Sequence, residues 1–218
     1  RALTKAMSLI AAADNHPVID GTGLWGTGLK IIDSSSDITV NGFEIYGSFE
    51  SGIYSYGTLT VGGSKVDGGI NGIVIDGGTA TITDTLIKNA KIFGVEIINI
   101  GTADISTSEI TGNKGIGVMV AEGNAVITRT RVTANEHGVV VTNDGLATVH
   151  NSFLAGNVKK ALENASSTNT VNASGNWWGS VNEADVEAET SGLVDFTPYF
   201  GAETDTDGGA RGFVGNFG

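Results

Sequence analysis

The chain repeats itself about every 22 residues, and this period constrains its fold more than any other feature. Residues 113–134, NKGIGVMVAEGNAVITRTRVTA, are followed at 135–156 by NEHGVVVTNDGLATVHNSFLAG, which keeps glycines and apolar residues at nearly the same positions. A glycine followed by alternating apolar residues marks each unit, and it recurs at Gly28, Gly52, Gly72, Gly94, Gly117 and Gly138. A period in this range is typical of solenoids, whose units bury their apolar faces by stacking on one another.

Each unit contains three short runs in which apolar and polar residues alternate, for example at 52–54, 59–61 and 64–66. Alternation with period two is the spacing of a β-strand, because successive side chains point to opposite faces. The unit is too short for a four-stranded propeller blade of about 40 residues, and it lacks the leucine-rich repeat consensus. We therefore predict an all-β fold: a single-stranded parallel β-helix with three short strands per coil and about eight coils, a rod of roughly 40 Å.

Two rows of apolar side chains are expected to line the interior of this rod, with one residue per coil in each row. The row on the first strand is predicted to contain Ile31, Ile53, Ile73, Val95, Val118 and Val139. The row on the second strand is predicted to contain Val40, Val61, Ile82, Ile105, Ile127 and Val149.

The segments that flank the repeats carry a resemblance to a known family. PVIDGTG at 17–23 precedes the repeats, and SGNWWG at 174–179 and VDFTPYF at 194–200 close them. With the glycine-apolar coils, these segments resemble the right-handed parallel β-helix repeat family of the pectate-lyase-like superfamily, and the ending resembles repeat regions of large secreted and surface-exposed bacterial proteins. The resemblance covers about residues 2–200 and implies a right-handed coil. It leaves activity open, because that superfamily includes lyases, hydrolases, epimerases, phage tailspikes and adhesin stalks.

The domain organisation follows from where the repeat pattern stops. Residues 1–200 are predicted to form the β-helix domain, with a C-terminal cap at about 174–200 in which Trp177 and Trp178 cover the last coil. Residues 201–218 are rich in glycine and aspartate and are interpreted as a tail or linker. Their DTDGG, at 205–209, has some character of a calcium loop, but two carboxylates fall short of the six to eight oxygens that calcium takes.

Composition restricts the location and the partners. The chain has 24 acidic and 12 basic residues, a net charge of −12, and no cysteine. This charge argues against nucleic acid and strongly anionic polysaccharide as partners, and stability must come from stacking rather than from disulfides. No membrane span is evident, so we expect no membrane insertion. No signal peptide is evident either, and residues 1–10 already show strand-like apolar order, so a leader is expected to have been removed or to lie outside this sequence. We interpret the chain as a piece of a longer secreted or cell-surface polypeptide.

The outward positions of each strand are where chemistry would have to lie. On the first strand they are Lys30, Tyr54, Val74, Glu96, Met119, Val140 and Glu163. On the second they are Thr39, Thr60, Thr81, Asp104, Val126, Thr148 and Thr170. On the third they are Glu44, Lys65, Leu86, Glu109, Arg131 and Phe153.

These three rows favour structural roles. The first has no two carboxylates on neighbouring coils, which a glycosidase would need about 5 to 9 Å apart. The threonine row on the second strand is interrupted at Asp104 and Val126, so we interpret it as strand propensity rather than as an ice-binding array. On the third strand, Glu44 should pair with Lys65 and Glu109 with Arg131.

One further row lies at the turns, at Asn89, Asn113, Asn135 and Asn157. Asparagine tolerates the left-handed backbone of a turn, and its amide can bond to the same residue one coil above. We therefore predict a stacked asparagine ladder.

The favoured function is a structural scaffold or adhesin-type module of a secreted or cell-surface protein, with a role in surface attachment or assembly. The alternative is a carbohydrate-active enzyme or carbohydrate-binding domain centred on Tyr54 and Glu96. An enzyme is not the favoured interpretation. No catalytic residue, metal ligand or cofactor is assigned, and the expected partners are a carbohydrate or another cell-surface or assembly component.

Overall fold

A computed structural model describes residues 2–3, 6–12, 15–47, 49–166, 168–207 and 210–215. These residues form an all-β, right-handed parallel solenoid of three sheets with one strand per sheet in each coil. The chain visits the three sheets in turn, so that every strand pairs in parallel with its counterpart one coil away. The predicted parallel β-helix is therefore confirmed.

The first and second sheets have nine strands each within the described residues. Those of the first sheet are Ala2–Leu3, Thr27–Ile31, Ser51–Ser55, Asn71–Asp76, Phe93–Ile98, Ile116–Ala121, His137–Thr142, Leu162–Asn164 and Thr190–Gly192. Those of the second are Met7–Ile10, Asp37–Asn41, Thr58–Gly62, Thr79–Thr83, Thr102–Ser106, Asn124–Thr128, Leu146–His150, Val171–Asn172 and Val194–Asp195.

The third sheet is shorter and has six strands in the described part of the chain. They are Val18–Gly21, Glu44–Gly47, Lys65–Gly68, Leu86–Lys88, Glu109–Thr111 and Arg131–Thr133. Beyond them, only isolated bridges continue the sheet, from Arg131 to Phe153 and from Phe153 to Trp177.

The interior rows agree with the sequence in all but one position. The second-strand row from Val40 to Val149 is in register throughout and fully buried. In the first-strand row, Leu29 rather than Ile31 lies beside Ile53. The other members of this row directly follow their glycine, as Leu29 follows Gly28, whereas the predicted Ile31 lies three residues after it. Ile31 is nevertheless buried, because it lies two residues further along the same strand and points inward as well.

The recurring glycine has a steric cause. At the bend into the first sheet the backbones of neighbouring coils approach closely, and a Cβ at Gly72 would lie 2.5 Å from the carbonyl oxygen of Gly94. A Cβ at Gly94 would lie 2.6 Å from the carbonyl oxygen of Gly117. Any other residue at this position would push the coils apart, which explains why glycine marks each unit.

A ladder of asparagine side chains crosses the turns, but it is shorter than predicted. Asn113 donates from Nδ2 to Oδ1 of Asn135, 2.9 Å, and Asn135 donates to Oδ1 of Asn157, 3.2 Å. Asn89 does not join it, because Ala90 is the residue aligned with Asn113, and its backbone N–H donates to Oδ1 of that side chain. Asn89 is instead exposed and donates to Asp67.

A second ladder of buried hydroxyls, which was not predicted, runs through five successive coils just before the third-sheet position, at Ser64, Thr85, Ser108, Thr130 and Ser152. The backbone N–H of Thr85 donates to Oγ of Ser108, and that of Thr130 donates to Oγ of Ser152, each at 3.2 Å. Each hydroxyl donates in turn to the carbonyl two residues earlier, as Ser108 does to Ser106 at 2.8 Å. Both ladders satisfy backbone groups that the bends would otherwise leave unpaired in the interior.

The C-terminal end of the column is covered by Trp178 and a short helix, Glu183–Ala188. Trp178 is 2% exposed and belongs to the main core together with Val186 from the helix. Trp177 is also buried, but it lies on the outer side of the third sheet beside Phe153. Trp178 therefore covers the last coil as predicted, whereas Trp177 does not lie in the interior column.

The tail does not behave as the solvated linker that its composition suggested. Phe213 is 1% exposed and packs with its ring centroid 5.5 Å from that of Phe153 and 6.0 Å from that of Phe200. Its backbone N–H donates to the carbonyl of Arg129. The tail packs here because the third sheet ends with outward aromatic side chains that need cover from water.

The tail also changes one predicted ion pair. Lys65 pairs with Glu44 at 3.6 Å, as predicted. Arg131, however, pairs with Asp205 of the tail at 2.7 Å rather than with Glu109, and its guanidinium lies 4.7 Å from the ring centroid of Phe153. The prediction for Glu109 was wrong because no feature of the repeat indicates that the tail returns to this face.

Candidate functional site

The outward face of the first sheet carries a polar network with an aromatic side chain beside it. Its middle column follows the predicted register from Lys30 through Tyr54, Val74 and Glu96 to Glu163. Because stacked strands lie about 4.8 Å apart, side chains of successive coils in this column are neighbours.

Asp76 joins this face from the end of its strand, two residues beyond Val74. The hydroxyl of Tyr54 donates to Oδ2 of Asp76, and Nδ2 of Asn99 donates to Oδ1 at 2.7 Å. The carboxylate is thus held by donors from the coils on both sides of its own.

Glu96 lies on the next coil and is half-buried. Its Oε2 accepts a hydrogen bond from Nδ2 of Asn71 at 3.1 Å. Burial raises the pKa of Glu96 above its usual value, and the negative charge of Asp76 raises it further. A second carboxylate on the neighbouring coil therefore acts on Glu96.

The row itself has no two carboxylates on neighbouring coils, as predicted, but Asp76 brings a second carboxylate to the same face from outside the row. The predicted row considered one outward residue per strand. On this strand that residue is Val74, so the outward Asp76 was left out. A parallel strand presents several outward positions, so a pair can form diagonally between columns. The sequence signal that could have identified this carboxylate is its position: Asp76 ends the strand and is followed by Gly77.

Tyr54 supplies the aromatic surface of the site. Burial and the hydrogen bond to Asp76 raise the pKa of the Tyr54 phenol, so it remains a protonated donor. Its ring centroid lies 5.1 Å from that of Tyr56, and Nζ of Lys30 lies 5.2 Å from the Tyr54 centroid. An aromatic face beside paired carboxylates and an amide can hydrogen-bond and stack against a polyhydroxylated ligand.

The calcium interpretation of the tail falls partly outside the described residues, since Gly208 and Gly209 are not among them. Asp205 already pairs with Arg131 and accepts from the backbone N–H of Val214 at 3.0 Å. Its hydrogen bond with Asp207 raises the pKa of the latter. Over the described part of the chain, no group of three or more histidine, aspartate or glutamate side chains is arranged to hold a metal ion.

Two surface depressions lie elsewhere. One of about 690 Å³, between the tail and the third sheet, is lined by Asp84, Thr107, Glu109, Ala210 and Arg211. A smaller one of about 260 Å³ lies beside Trp25, whose side chain is 90% exposed. In the larger one, Nη1 of Arg211 lies 3.4 Å from Oδ1 of Asp84. Among the described residues, no helix is long and apolar enough to span a membrane.

Comparison with known proteins agrees with this architecture. The family model described as "Right handed beta helix region" matches residues 27–177, which is more than half of the chain. No curated protein matches the chain, and no solved structure matches it. The match spans the coils and ends at the first of the two adjacent tryptophans. The chain belongs to the right-handed β-helix family.

Proposed function

We propose that the chain is a scaffold module of a secreted or cell-surface protein, where it acts as a rigid spacer or adhesin-type segment in attachment or assembly. The observation that carries this proposal is the unbroken interior. From Val40 to Val149 the aliphatic row keeps its register coil after coil, without an inward polar group that could serve chemistry.

The two ladders support the same role. Asn113, Asn135 and the hydroxyl side chains before the third strand are buried and bonded from coil to coil. A rod whose bends are hydrogen-bonded internally resists local opening, and local opening is what bending and proteolysis require. An extracellular spacer needs this rigidity where disulfides are absent.

Rigidity can be measured along the second sheet. The native chain has no cysteine, so Ser8→Cys and Thr148→Cys would introduce two unique sites for spin labels. They lie six coil steps apart, about 29 Å. We expect a narrow distance distribution near that value. A broad distribution would contradict a rigid spacer.

The surface role needs a separate test. Antibodies against residues 27–177 should label intact cells of the producing organism or detect the protein in its medium. Labelling that appears only after permeabilisation would overturn the proposed location while leaving the scaffold fold unaffected.

The network on the first sheet favours a second candidate, binding of a neutral glycan at Tyr54, Asp76 and Glu96. The aromatic ring offers a stacking surface, and the acid and amide groups offer hydrogen bonds to hydroxyls. A net charge of −12 makes anionic glycans poor ligands. A raised pKa at Glu96 beside a second carboxylate is also the arrangement that a glycosidase uses.

Glycan binding and cleavage can be separated in one series. Binding to a panel of neutral polysaccharides should be lost in Tyr54→Ala but kept in Glu96→Gln, which preserves a hydrogen-bonding group, and in Glu109→Gln, which alters a carboxylate on the third sheet. Release of new reducing ends, abolished by Glu96→Gln, would establish an enzyme. Absence of binding across the panel would leave the scaffold function alone.

A further inference from the structure

The second sheet presents a wider hydroxyl array than a single row of threonines. Over five consecutive coils, each strand contributes three outward positions in register. The middle column contains Thr39, Thr60, Thr81, Asp104 and Val126. The flanking columns contain Asp37, Thr58, Thr79, Thr102 and Asn124 on one side, and Asn41, Gly62, Thr83, Ser106 and Thr128 on the other. We call these fifteen positions the threonine face; eight are threonine and one is serine.

Strand propensity does not account for this distribution. Propensity would place threonine at outward positions of all three sheets alike. The equivalent middle column of the first sheet runs from Lys30 to Glu163 without a threonine, and that of the third runs from Glu44 to Phe153 without one. The enrichment belongs to one face, so the interpretation of the single row as propensity is incomplete.

The hydroxyls of this face are available to an external partner. Among the described contacts, Thr39, Thr60 and Thr81 make no side-chain hydrogen bond within the protein, and the one bond between threonines of the face joins Thr102 to Thr79 at 3.3 Å. The hydroxyl ladder inside the rod shows the opposite behaviour, since each of its members is buried and bonded.

Charge and shape restrict what can bind there. The fifteen positions hold two carboxylates, Asp37 and Asp104, and no cation, on a chain of net charge −12. They hold no aromatic side chain on which a sugar ring could stack. The repeat is about 4.8 Å from coil to coil and about 6.6 Å between alternate residues of a strand. The partner that fits is neutral, flat and periodic in two directions.

We propose that the threonine face binds ice. Hydroxyls fixed at regular spacing can bond to a lattice of ordered water, and the threonine methyl groups between them exclude disordered water from the contact. Strands about 4.8 Å apart repeat at a distance close to the oxygen repeat along a plane of ice. This proposal is independent of the glycan site, which lies on the first sheet.

Ice-affinity partitioning tests the proposal directly. Ice is grown slowly from a dilute solution of the whole chain, and the protein concentration in the ice is compared with that in the remaining liquid. The wild-type chain should be enriched in the ice. Thr81→Lys, which places a charged chain at the centre of the face, should reduce enrichment to the level of an unrelated non-binding protein. The matched control Leu86→Lys, on the third sheet of the same coil, should retain it.

A repair variant keeps the test independent of any loss of folding. Asp104→Thr combined with Val126→Thr completes the middle column and should increase enrichment above wild type. Exclusion of the wild-type chain from ice, or equal losses in Thr81→Lys and Leu86→Lys at unchanged unfolding temperature, would overturn the proposal. So would exclusion from ice together with sedimentation on an insoluble neutral polysaccharide that depends on Thr81, because the face would then be a glycan surface.

Discussion

At the residue scale, a side chain in this rod is flanked by its counterparts one coil above and one below. Ile105, for example, lies between Ile82 and Ile127, and all three are at most 1% exposed. A change at one position is therefore felt by two further coils. The adjacent residue Asp104 lies on the same strand but points to solvent. Substitutions at Ile105 and Asp104 therefore compare the inward and outward faces of one strand.

Ile105→Asn should lower the free energy of unfolding by several kcal/mol, because it places an amide without partners in an aliphatic column. Asp104→Asn should change it by less than about 0.5 kcal/mol, as exposed substitutions usually do. Urea unfolding followed by circular dichroism measures both. Equal effects for the two variants would show that the register is wrong.

Glu96 and Asp67 should respond to pH in opposite directions. The pKa of Glu96 is raised in the folded chain, so its ionisation costs stability as the pH rises through the folded value. Burial also raises the pKa of Asp67, but the hydrogen bond from Asn89 and the charges of Lys88 and Lys65 outweigh it and leave the pKa lowered. Asp67 thus contributes stability above the usual carboxyl range, and that contribution is lost as the pH falls through its folded pKa.

Glu96→Gln should accordingly stabilise the chain at about pH 7 and lose that gain below about pH 4, where both states are protonated. Asp67→Asn should destabilise it at about pH 7, with the difference shrinking in acid. Unfolding temperatures across the pH range give the comparison. A Glu96→Gln variant that is less stable than wild type at neutral pH would contradict the burial argument.

At the element scale, the ladders separate what the sequence could predict from what it could not. Interior rows are encoded locally, since apolar alternation with period two identifies most inward strand positions, with Ser55 as a buried polar exception. The asparagine ladder was predicted one residue out of alignment at Asn89, because a turn can gain or lose a residue without disturbing the strands. The Asp76–Glu96 pair depends on a contact between two columns of one sheet. The packing of the tail depends on a contact between distant segments of the chain. Neither contact can be predicted from a local sequence pattern.

A buried ladder asparagine and an exposed turn asparagine should contribute differently to the free energy of unfolding. Asn135 is fully buried and accepts from the backbone N–H and side-chain amide of Asn113, at 3.0 and 2.9 Å. Asn135→Ala should cost about 2 to 4 kcal/mol, because it leaves buried donors and an acceptor unpaired on two coils. Asn89→Ala, on the exposed side of the equivalent turn two coils earlier, should cost less than about 1 kcal/mol. Comparable losses in denaturant unfolding would refute the ladder.

At the scale of the whole molecule, coils contact only their nearest neighbours, so stability is a sum of interfaces along the rod. Such a rod is vulnerable at its ends, where strand edges and the apolar column would meet water. In this chain the C-terminal end is covered by Trp178, the helix Glu183–Ala188 and the rings of Phe196 and Tyr199. Trp178 is the largest fully buried side chain of this cover, so one substitution there can test it.

Trp178→Ala should lower the free energy of unfolding by roughly 3 to 5 kcal/mol, the usual cost of emptying a buried aromatic site. It should also promote self-association, since the last coil then presents apolar surface and strand edges to a second molecule. Trp25→Ala is the matched control: Trp25 is 90% exposed against 2% for Trp178, so its loss should leave both properties unchanged. Chemical unfolding gives the first quantity and sedimentation velocity the second. If Trp178→Ala destabilises the chain yet stays monomeric, the ring supports packing alone, and the rest of the cap is sufficient to shield the end of the rod.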